Sequence, residues 1–132
     1  MGYGVYFTPE SRWTMKAIRD FQGIFIHQHF NGMRNSINGL SQIVVASGMG
    51  ELMGPHLFVF CGRRKGLIKV LYFDKSGFCL WQKRLEKDRF SWPKKHESKV
   101  VKLTSEQFEW LLEGYDIWKM KPFETLHFEY VS

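Results

Sequence analysis

The sequence predicts a single α+β domain in which an antiparallel β-meander is covered by two helices. Three observations predict it. Short runs of β-forming residues alternate with turn residues between positions 57 and 85. An apolar repeat of helical spacing spans residues 33–47, and Thr104 with Gln107 forms a capping box. The 132 residues fit one folded domain and leave little room for two. We expect both helices to cover one face of its sheet.

The predicted meander has three strands. Residues 57–61 are too few for a helix and rich in β-formers, so they indicate a buried strand. A glycine-bounded polar turn at residues 62–66 leads into a second strand at residues 67–73. Residues 74–77 have Asp first and Gly last, as β-turns favour, and residues 78–85 return as the third strand. Turns this short require neighbouring strands to run antiparallel.

Further elements flank the meander. Residues 23–28 and residues 100–103 each indicate a short strand, and both are expected to join the sheet. The capping box starts a helix predicted over residues 105–113, with Gly114 at its end. Alternating residues at 126–131 indicate a final strand-like tail.

Metal ligands are few in this chain. Cys61 and Cys79 are the only cysteines, and the meander would place them at opposite ends, too far apart for a disulfide. His27 and His29 would share one face of a strand, but a third ligand is missing at any recognisable spacing. We expect no metal site and no cofactor.

Positive charge is concentrated in the middle of the chain. The whole chain carries a formal charge of +6. Residues 61–102 alone carry thirteen basic and four acidic side chains, a balance of +9, whereas residues 103–132 carry two basic and six acidic ones. A field of this kind attracts polyanions, so the segment is a candidate nucleic-acid footprint. The alternative is that the basic face only keeps the domain soluble.

The strongest candidate contact is the turn between the first two meander strands. Gly62 and Gly66 flank three consecutive cations and would let the backbone turn tightly and approach a phosphate. A charged tip that only keeps the hairpin soluble and deters edge pairing is the alternative. Aromatic rings also lie among the cations, and Trp92 is equally compatible with stacking on a base and with a place in the core. The predicted DNA contacts are Arg34, Arg63, Arg64, Lys65, Lys69, Lys83, Arg84, Arg89 and Trp92.

Signatures of enzymes and of membrane proteins are missing from the sequence. It contains no phosphate-binding glycine loop, dinucleotide fingerprint or serine-nucleophile elbow. Asp74, Glu86 and Asp88 could hold two magnesium ions if they clustered on adjacent strands, but carboxylates that balance nearby cations are the preferred interpretation. We expect no catalytic activity. No apolar run reaches the ~18 residues that cross a bilayer, and the first ten residues lack secretory features, so a cytoplasmic protein is expected.

Ordered blocks along the middle of the chain carry a resemblance to a known family. They are GMRNSINGL at 32–40, PHLFVFCGRR at 55–64, KVLYFD at 69–74, GFCLW at 77–81, KRLE at 83–86, RFSWP at 89–93 and the closing segment at 103–116. Together they resemble the accessory protein of bacterial transposons of the insertion-sequence sixty-six family, the TnpB-type product of the second reading frame. Gly32 and Asn35 depart from the family's usual Asp and Lys.

The resemblance implies a role in transposition beside a separate, larger transposase that supplies the catalytic acids. It covers about residues 24–118, so we expect an accessory domain at 23–118, an N-terminal extension at 1–22 and a strand-like tail at 119–132. Transposon-end DNA and the transposase are the expected partners, with no membrane involved. The alternative is an assembly subunit that docks on the transposase without touching DNA, its acidic C-terminal part facing a basic partner. A small metal-dependent nuclease is the least favoured function.

Overall fold

The computed structural model describes residues 18–29, 36–93, 99–119 and 129–131. Short 3-10 turns lie at Ile18–Asp20 and Ile117–Lys119. The remaining elements, in chain order, are β1 (Gly23–His27), α1 (Ile37–Ser47), β2 (His56–Cys61), β3 (Leu67–Asp74), β4 (Gly77–Arg84), β5 (Val100–Leu103), α2 (Ser105–Glu113) and β6 (Glu129–Val131). Neither described helix is long and apolar enough to cross a membrane.

One sheet holds all six described strands, in the order β4-β3-β2-β1-β5-β6. The predicted meander is confirmed, because β3 pairs antiparallel with both β2 and β4. The strand predicted near residue 24 joins the sheet parallel to β2 and antiparallel to β5. Adjacent parallel strands need a long crossover connection, and α1 lies within it. The fold is therefore α+β with one parallel pair inside a mostly antiparallel sheet.

The two helices cover opposite faces of the sheet, so the expectation that they share one face is wrong. On one face, the cluster that includes α2 contains Ile26, Val59, Val70, Phe108 and Leu111. On the other face, the cluster that includes α1 contains Phe25, Phe58, Leu71, Leu40 and Val44. The physical reason is that β1 is buried at every position and β2 at all but its first, so both sides of these strands need a cover.

Both described helices end at a left-handed glycine, and α2 also begins on a side-chain cap. The capping box of α2 is confirmed: Thr104 Oγ1 accepts from the Gln107 backbone N–H at 3.1 Å, and Gln107 Oε1 accepts from the Thr104 N–H at 2.9 Å. The helix predicted from residue 33 begins at Ile37, because Ser36 is extended; residues 33–35 lie outside the described residues. It ends at Gly48, whose φ of +63° is the left-handed conformation typical of helix C-caps.

Both cysteines are free thiols, as the meander predicted. Cys61 pairs with Ile68 at one end of the β2–β3 ladder, whereas Cys79 pairs with Tyr72 near the other end. Burial raises the pKa of Cys61 to about 12, so this thiol stays protonated and unreactive at neutral pH.

His27 in β1 makes hydrogen bonds to α1 on one face of the sheet and to Trp92 in the core on the other face. Its Nδ1 lies 3.3 Å from the backbone oxygen of His29, and its Nε2 lies 3.0 Å from Ser47 Oγ in α1. Because a carbonyl can only accept, Nδ1 carries a proton. Burial lowers the pKa of His27, so at neutral pH Nε2 is unprotonated and accepts from the Ser47 hydroxyl. The backbone oxygen of His27 accepts from Trp92 Nε1 at 3.1 Å. This arrangement uses a neutral imidazole.

We expect the free energy of unfolding to decrease as the pH falls below about 6.5. Burial lowers the pKa of His27 and of His56 from their usual 6.5. The unfolded chain therefore binds protons first, so the stabilisation is complete above pH 6.5 and is lost as the pH falls through the folded-state pKa values. Urea denaturation of the parent and of His27→Gln at pH 7.5 and pH 5.5 checks this. The loss on acidification should be smaller in the variant, and an equal loss would contradict the assignment.

Candidate nucleic-acid interface

The turn between β2 and β3 is closed by two backbone hydrogen bonds. The N–H of Gly62 donates to the Leu67 oxygen at 3.0 Å, and the N–H of Lys65 donates to the Gly62 oxygen at 2.9 Å. Lys65 has a φ of +62°, whereas neither flanking glycine has a positive φ. The left-handed conformation in this turn therefore lies at Lys65 and not at either flanking glycine. Arg63 and Arg64 are exposed at the tip.

The β2–β3 turn forms one wall of a cleft, and the chain that leaves β4 forms the second wall beside it. The N–H of Leu85 donates to the Gly66 oxygen at 2.8 Å, and the N–H of Phe90 donates to the Lys65 oxygen at 2.7 Å. Phe90 is buried in the core on the α2 side. Residues 86–89 are all exposed. The segment is thus anchored at both ends on two consecutive carbonyls of the turn and bulges outward between them.

The two walls enclose an open cleft of about 600 Å³. Its lining is Gly62, Arg63, Arg64, Gly66, Leu67, Arg84, Leu85, Glu86, Asp88 and Arg89. Four of the predicted DNA contacts thus meet in one place, and the four guanidinium groups outnumber the two carboxylates. The leucines and the carboxylates were not predicted to belong to the site. The sequence holds no signal for them, because the cleft depends on the hydrogen bonds from Leu85 to Gly66 and from Phe90 to Lys65, which join distant parts of the chain.

The cations of the cleft differ in their partners. Arg84 Nη2 and Nε both lie 3.3 Å from Glu86 Oε2, and both side chains are largely exposed. An exposed pair of this kind stabilises the fold by about 0–1 kcal/mol. Across the described ranges of the chain, no carboxylate lies within 4.0 Å of a guanidinium nitrogen of Arg63, Arg64 or Arg89. These three charges remain available to an anionic ligand.

Two of the predicted contacts are withdrawn from the surface. Trp92 is 5% exposed, its indole N–H donates to the His27 oxygen, and its ring belongs to the core beside α2. It is therefore a core residue, and its ring cannot stack on a base. Lys69 is 7% exposed, at a β3 position that alternates with the α2-facing Ile68 and Val70. Arg34 lies outside the described residues.

Lys83 has a structural contact instead of an exposed position. Its Nζ donates to the backbone oxygen of Leu112 at 2.9 Å and lies 5.8 Å from the centroid of the Phe90 ring. Burial lowers the pKa of this ammonium group, and the charge of Glu113 partly offsets the effect. A cation on the last carbonyls of α2 complements the negative end of the helix dipole. Lys83 therefore fastens α2 to the edge strand β4.

The carboxylates proposed for a nuclease do not come together. Asp74 pairs with Gly77 at one end of the β3–β4 hairpin, and Glu86 follows Arg84 at the other end. With a rise of ~3.3 Å per residue, roughly 23 Å of strand separates Gly77 from Arg84. No group of three or more His, Cys, Asp or Glu side chains in the described parts of the chain could hold a metal ion. The two-metal site built from Asp74, Glu86 and Asp88 is therefore wrong.

Comparisons with known proteins agree with the blocks quoted from the sequence. The profile of a family described as "IS66 Orf2 like protein" matches residues 22–122. Protein y4hO of Sinorhizobium fredii is 43% identical over 70 residues, which cover 53% of this chain and 58% of that protein. Protein y4jC of the same organism is 28% identical over 88 residues, which cover 67% of this chain and 74% of that protein. The name of neither protein states a function. No solved structure matches the chain.

Replacing Lys83 by Met should lower the free energy of unfolding by about 1–2 kcal/mol, because the hydrogen bond from a charged donor to the Leu112 oxygen is lost. Lys87→Met is the matched control, since Lys87 is exposed in the bulge and its replacement should stay within about 0.5 kcal/mol. Urea denaturation followed by tryptophan fluorescence gives both values. Equal stability of the two variants would show that the Lys83 contact contributes nothing.

Proposed function

Because the chain belongs to the family of IS66 Orf2-like proteins, we propose that it acts beside a separate transposase as a DNA-binding, non-catalytic accessory protein. The family connects the chain to the transposition of an insertion sequence. The proposal adds that the cleft beside the β2–β3 turn holds DNA by its phosphates. It also adds that cutting and joining of the DNA belong to the transposase.

One observation carries the DNA-binding part of this proposal. Arg63, Arg64 and Arg89 line the same cleft, and none of their guanidinium groups has a carboxylate within 4.0 Å among the described residues. Cations that are left unneutralised at one end of a rigid sheet attract the phosphates of nucleic acid and release their counterions. Arginine suits this role because its planar guanidinium can make two parallel hydrogen bonds to one phosphate.

The position of these cations favours a positioning contact over sequence recognition. Two of them lie on a hairpin turn, held by hydrogen bonds within the β2–β3 hairpin and to the segment that follows β4. A short exposed turn reaches the DNA backbone more easily than the base edges of a groove. Contacts to phosphates fix the orientation of a protein on DNA and carry no sequence information of their own. The accessory protein would then hold the ends of the element while another protein recognises or cuts them.

The double variant Arg63→Ala/Arg64→Ala should weaken binding to duplex DNA from the terminal repeats and from an unrelated sequence by the same factor. The slope of log affinity against log salt should fall by about 2, one for each lost phosphate contact. The control is Lys75→Ala/Lys99→Ala, which removes the same charge from exposed positions outside the cleft. Fluorescence anisotropy at five salt concentrations gives both slopes, and a similar loss in the control would point to general charge attraction.

The triple variant with Ala at Arg63, Arg64 and Lys65 extends this test. Binding of terminal-repeat DNA at low salt as tight as that of the parent would show that the turn does not contact DNA. Replacement of the two exposed arginines should change the free energy of unfolding by no more than about 0.5 kcal/mol. A loss of DNA binding in the variant would therefore not be caused by unfolding. A urea denaturation curve of each variant checks this directly.

A second candidate function is docking on the transposase without contact to DNA, and one surface favours it. The sequence of α1 contains no charged residue, and its exposed positions are Asn38, Gln42, Val45 and Ala46. Val45 is 68% exposed, and Met53 in the loop after α1 is 63% exposed. Depletion of charged residues is typical of the core of protein–protein interfaces.

Replacement of Val45 and Met53 by Asp should release the transposase at both low and high salt if this surface is the docking site. An apolar interface tolerates salt, whereas phosphate contacts weaken steeply with it. Co-purification of tagged transposase with the parent and with each variant, with and without nuclease treatment, measures the association. Loss on nuclease treatment and in Arg63→Ala/Arg64→Ala, but not in the Asp variant, would instead show that the two proteins meet through DNA.

A further inference from the structure

We infer that the cleft between the β2–β3 turn and residues 86–89 takes one unpaired nucleotide of DNA, so that the protein prefers a frayed or single-stranded end over a blunt duplex. This inference rests on the proposed function and deepens it, because it concerns which form of DNA the cleft accepts. The evidence comes from the shape, the apolar lining residues and the charge distribution of the cleft.

The shape of the cleft suits a nucleotide better than the outside of a double helix. Its volume of about 600 Å³ lies within the roughly 300–1,000 Å³ of sites that bind small molecules. Its lining includes two partly buried leucines, Leu67 and Leu85. Leu85 packs against the core of the domain, and this contact holds its side chain in place in the lining of the cleft. Apolar side chains of this kind can accept the flat face of a base, which a phosphate would avoid.

The charges on the two walls differ. The turn contributes Arg63 and Arg64, whereas the opposite wall contributes Arg84, Glu86, Asp88 and Arg89, with Arg84 Nη2 at 3.3 Å from Glu86 Oε2. A duplex backbone laid across the opening would bring phosphates toward Asp88 and toward Glu86, whose exposed pair with Arg84 leaves part of its charge unscreened, and like charges repel. A single nucleotide can instead place its phosphate on the turn and the edge of its base toward the bulge. Carboxylates accept hydrogen bonds from the amino groups of bases, as they do from the N4 amino group of cytosine.

A base inside a duplex cannot use this site. Its polar edge is paired and its faces are stacked, and freeing it costs a few kcal/mol, least where the base is already single-stranded. Stacking on protein side chains returns ~1–3 kcal/mol per base. Arginine guanidinium planes can also stack on unpaired bases, and four arginines line the cleft. An end with an unpaired overhang therefore gains the contact without the cost of opening the duplex.

The experiment compares two fluorescent DNA probes with the same number of phosphates, one blunt and one with an overhang of three cytosines on each strand. At equal salt, the overhang should be bound about tenfold more tightly than the blunt duplex, which is within the range of one stacked base. Equal affinity for the two probes, with salt dependence and sensitivity to Arg63→Ala/Arg64→Ala retained, would overturn this inference and leave the proposed function standing. Binding of neither probe would overturn the proposed function itself.

A variant without the two carboxylates of residues 86–89 separates recognition of a base from general attraction of the phosphates. Glu86→Gln/Asp88→Asn keeps the shape of both side chains and removes two negative charges from the cleft. The inference requires the blunt probe to bind more tightly and the preference for the overhang to fall toward one. The control is Glu106→Gln/Glu113→Gln, which makes the same charge change at exposed positions of α2, and it should keep the preference. An unchanged preference in the bulge variant would overturn the inference.

Discussion

Burial of both faces of the central strands is the constraint from which the rest of the fold follows. The five positions of β1 are all buried, as are the last five of β2. Each large apolar side chain that leaves water on folding contributes about 1.5–3 kcal/mol, so neither face of this strand pair can remain open. The parallel pairing of β1 with β2 requires a crossover, and α1 both lies in that connection and covers one face. The opposite face must be covered by chain that follows the meander.

The chain after β4 meets this requirement, and the cleft is a consequence of how it does so. Phe90 and Trp92 have to reach the core beside α2, although β4 ends at Arg84 on the edge of the sheet. The segment therefore folds back beside the β2–β3 turn, where the oxygens of Lys65 and Gly66 satisfy its backbone N–H groups. Residues 86–89, which are Glu, Lys, Asp and Arg, have no place inside and form the exposed wall. A core requirement thus produces a charged cleft.

The features that the sequence predicted correctly are local ones. The capping box, the span of α2 and the three-stranded meander each depend on residues a few positions apart, so their pattern is complete within a short window. The placement of the helices on opposite faces was missed, because it depends on the pairing of β1 with β2, in which Ile24 lies opposite Leu57. Buried strands still left a trace in the near-continuous apolar runs at 24–26 and 57–61, which are typical of strands covered on both sides. This pattern predicts that both faces of the β1–β2 strand pair are covered.

In the candidate site, too, the local features were predicted correctly and those that depend on distant residues were not. Arg63 and Arg64 were correctly placed on an exposed turn, since a polar segment between two antiparallel strands has nowhere else to go. Trp92 was ambiguous, because its hydrogen-bond partner His27 lies 65 residues away, and a tryptophan among cations looks the same in sequence whether it stacks on a base or fills a core. The charge balance of the cleft also depends on a contact that composition does not show. Arg84 holds Glu86 at 3.3 Å, and a carboxylate engaged in this way neutralises the arginines of the turn less effectively. The pair stabilises the fold little, yet it helps to leave Arg63 and Arg64 open to a phosphate, so its consequence lies in the charge presented to a ligand.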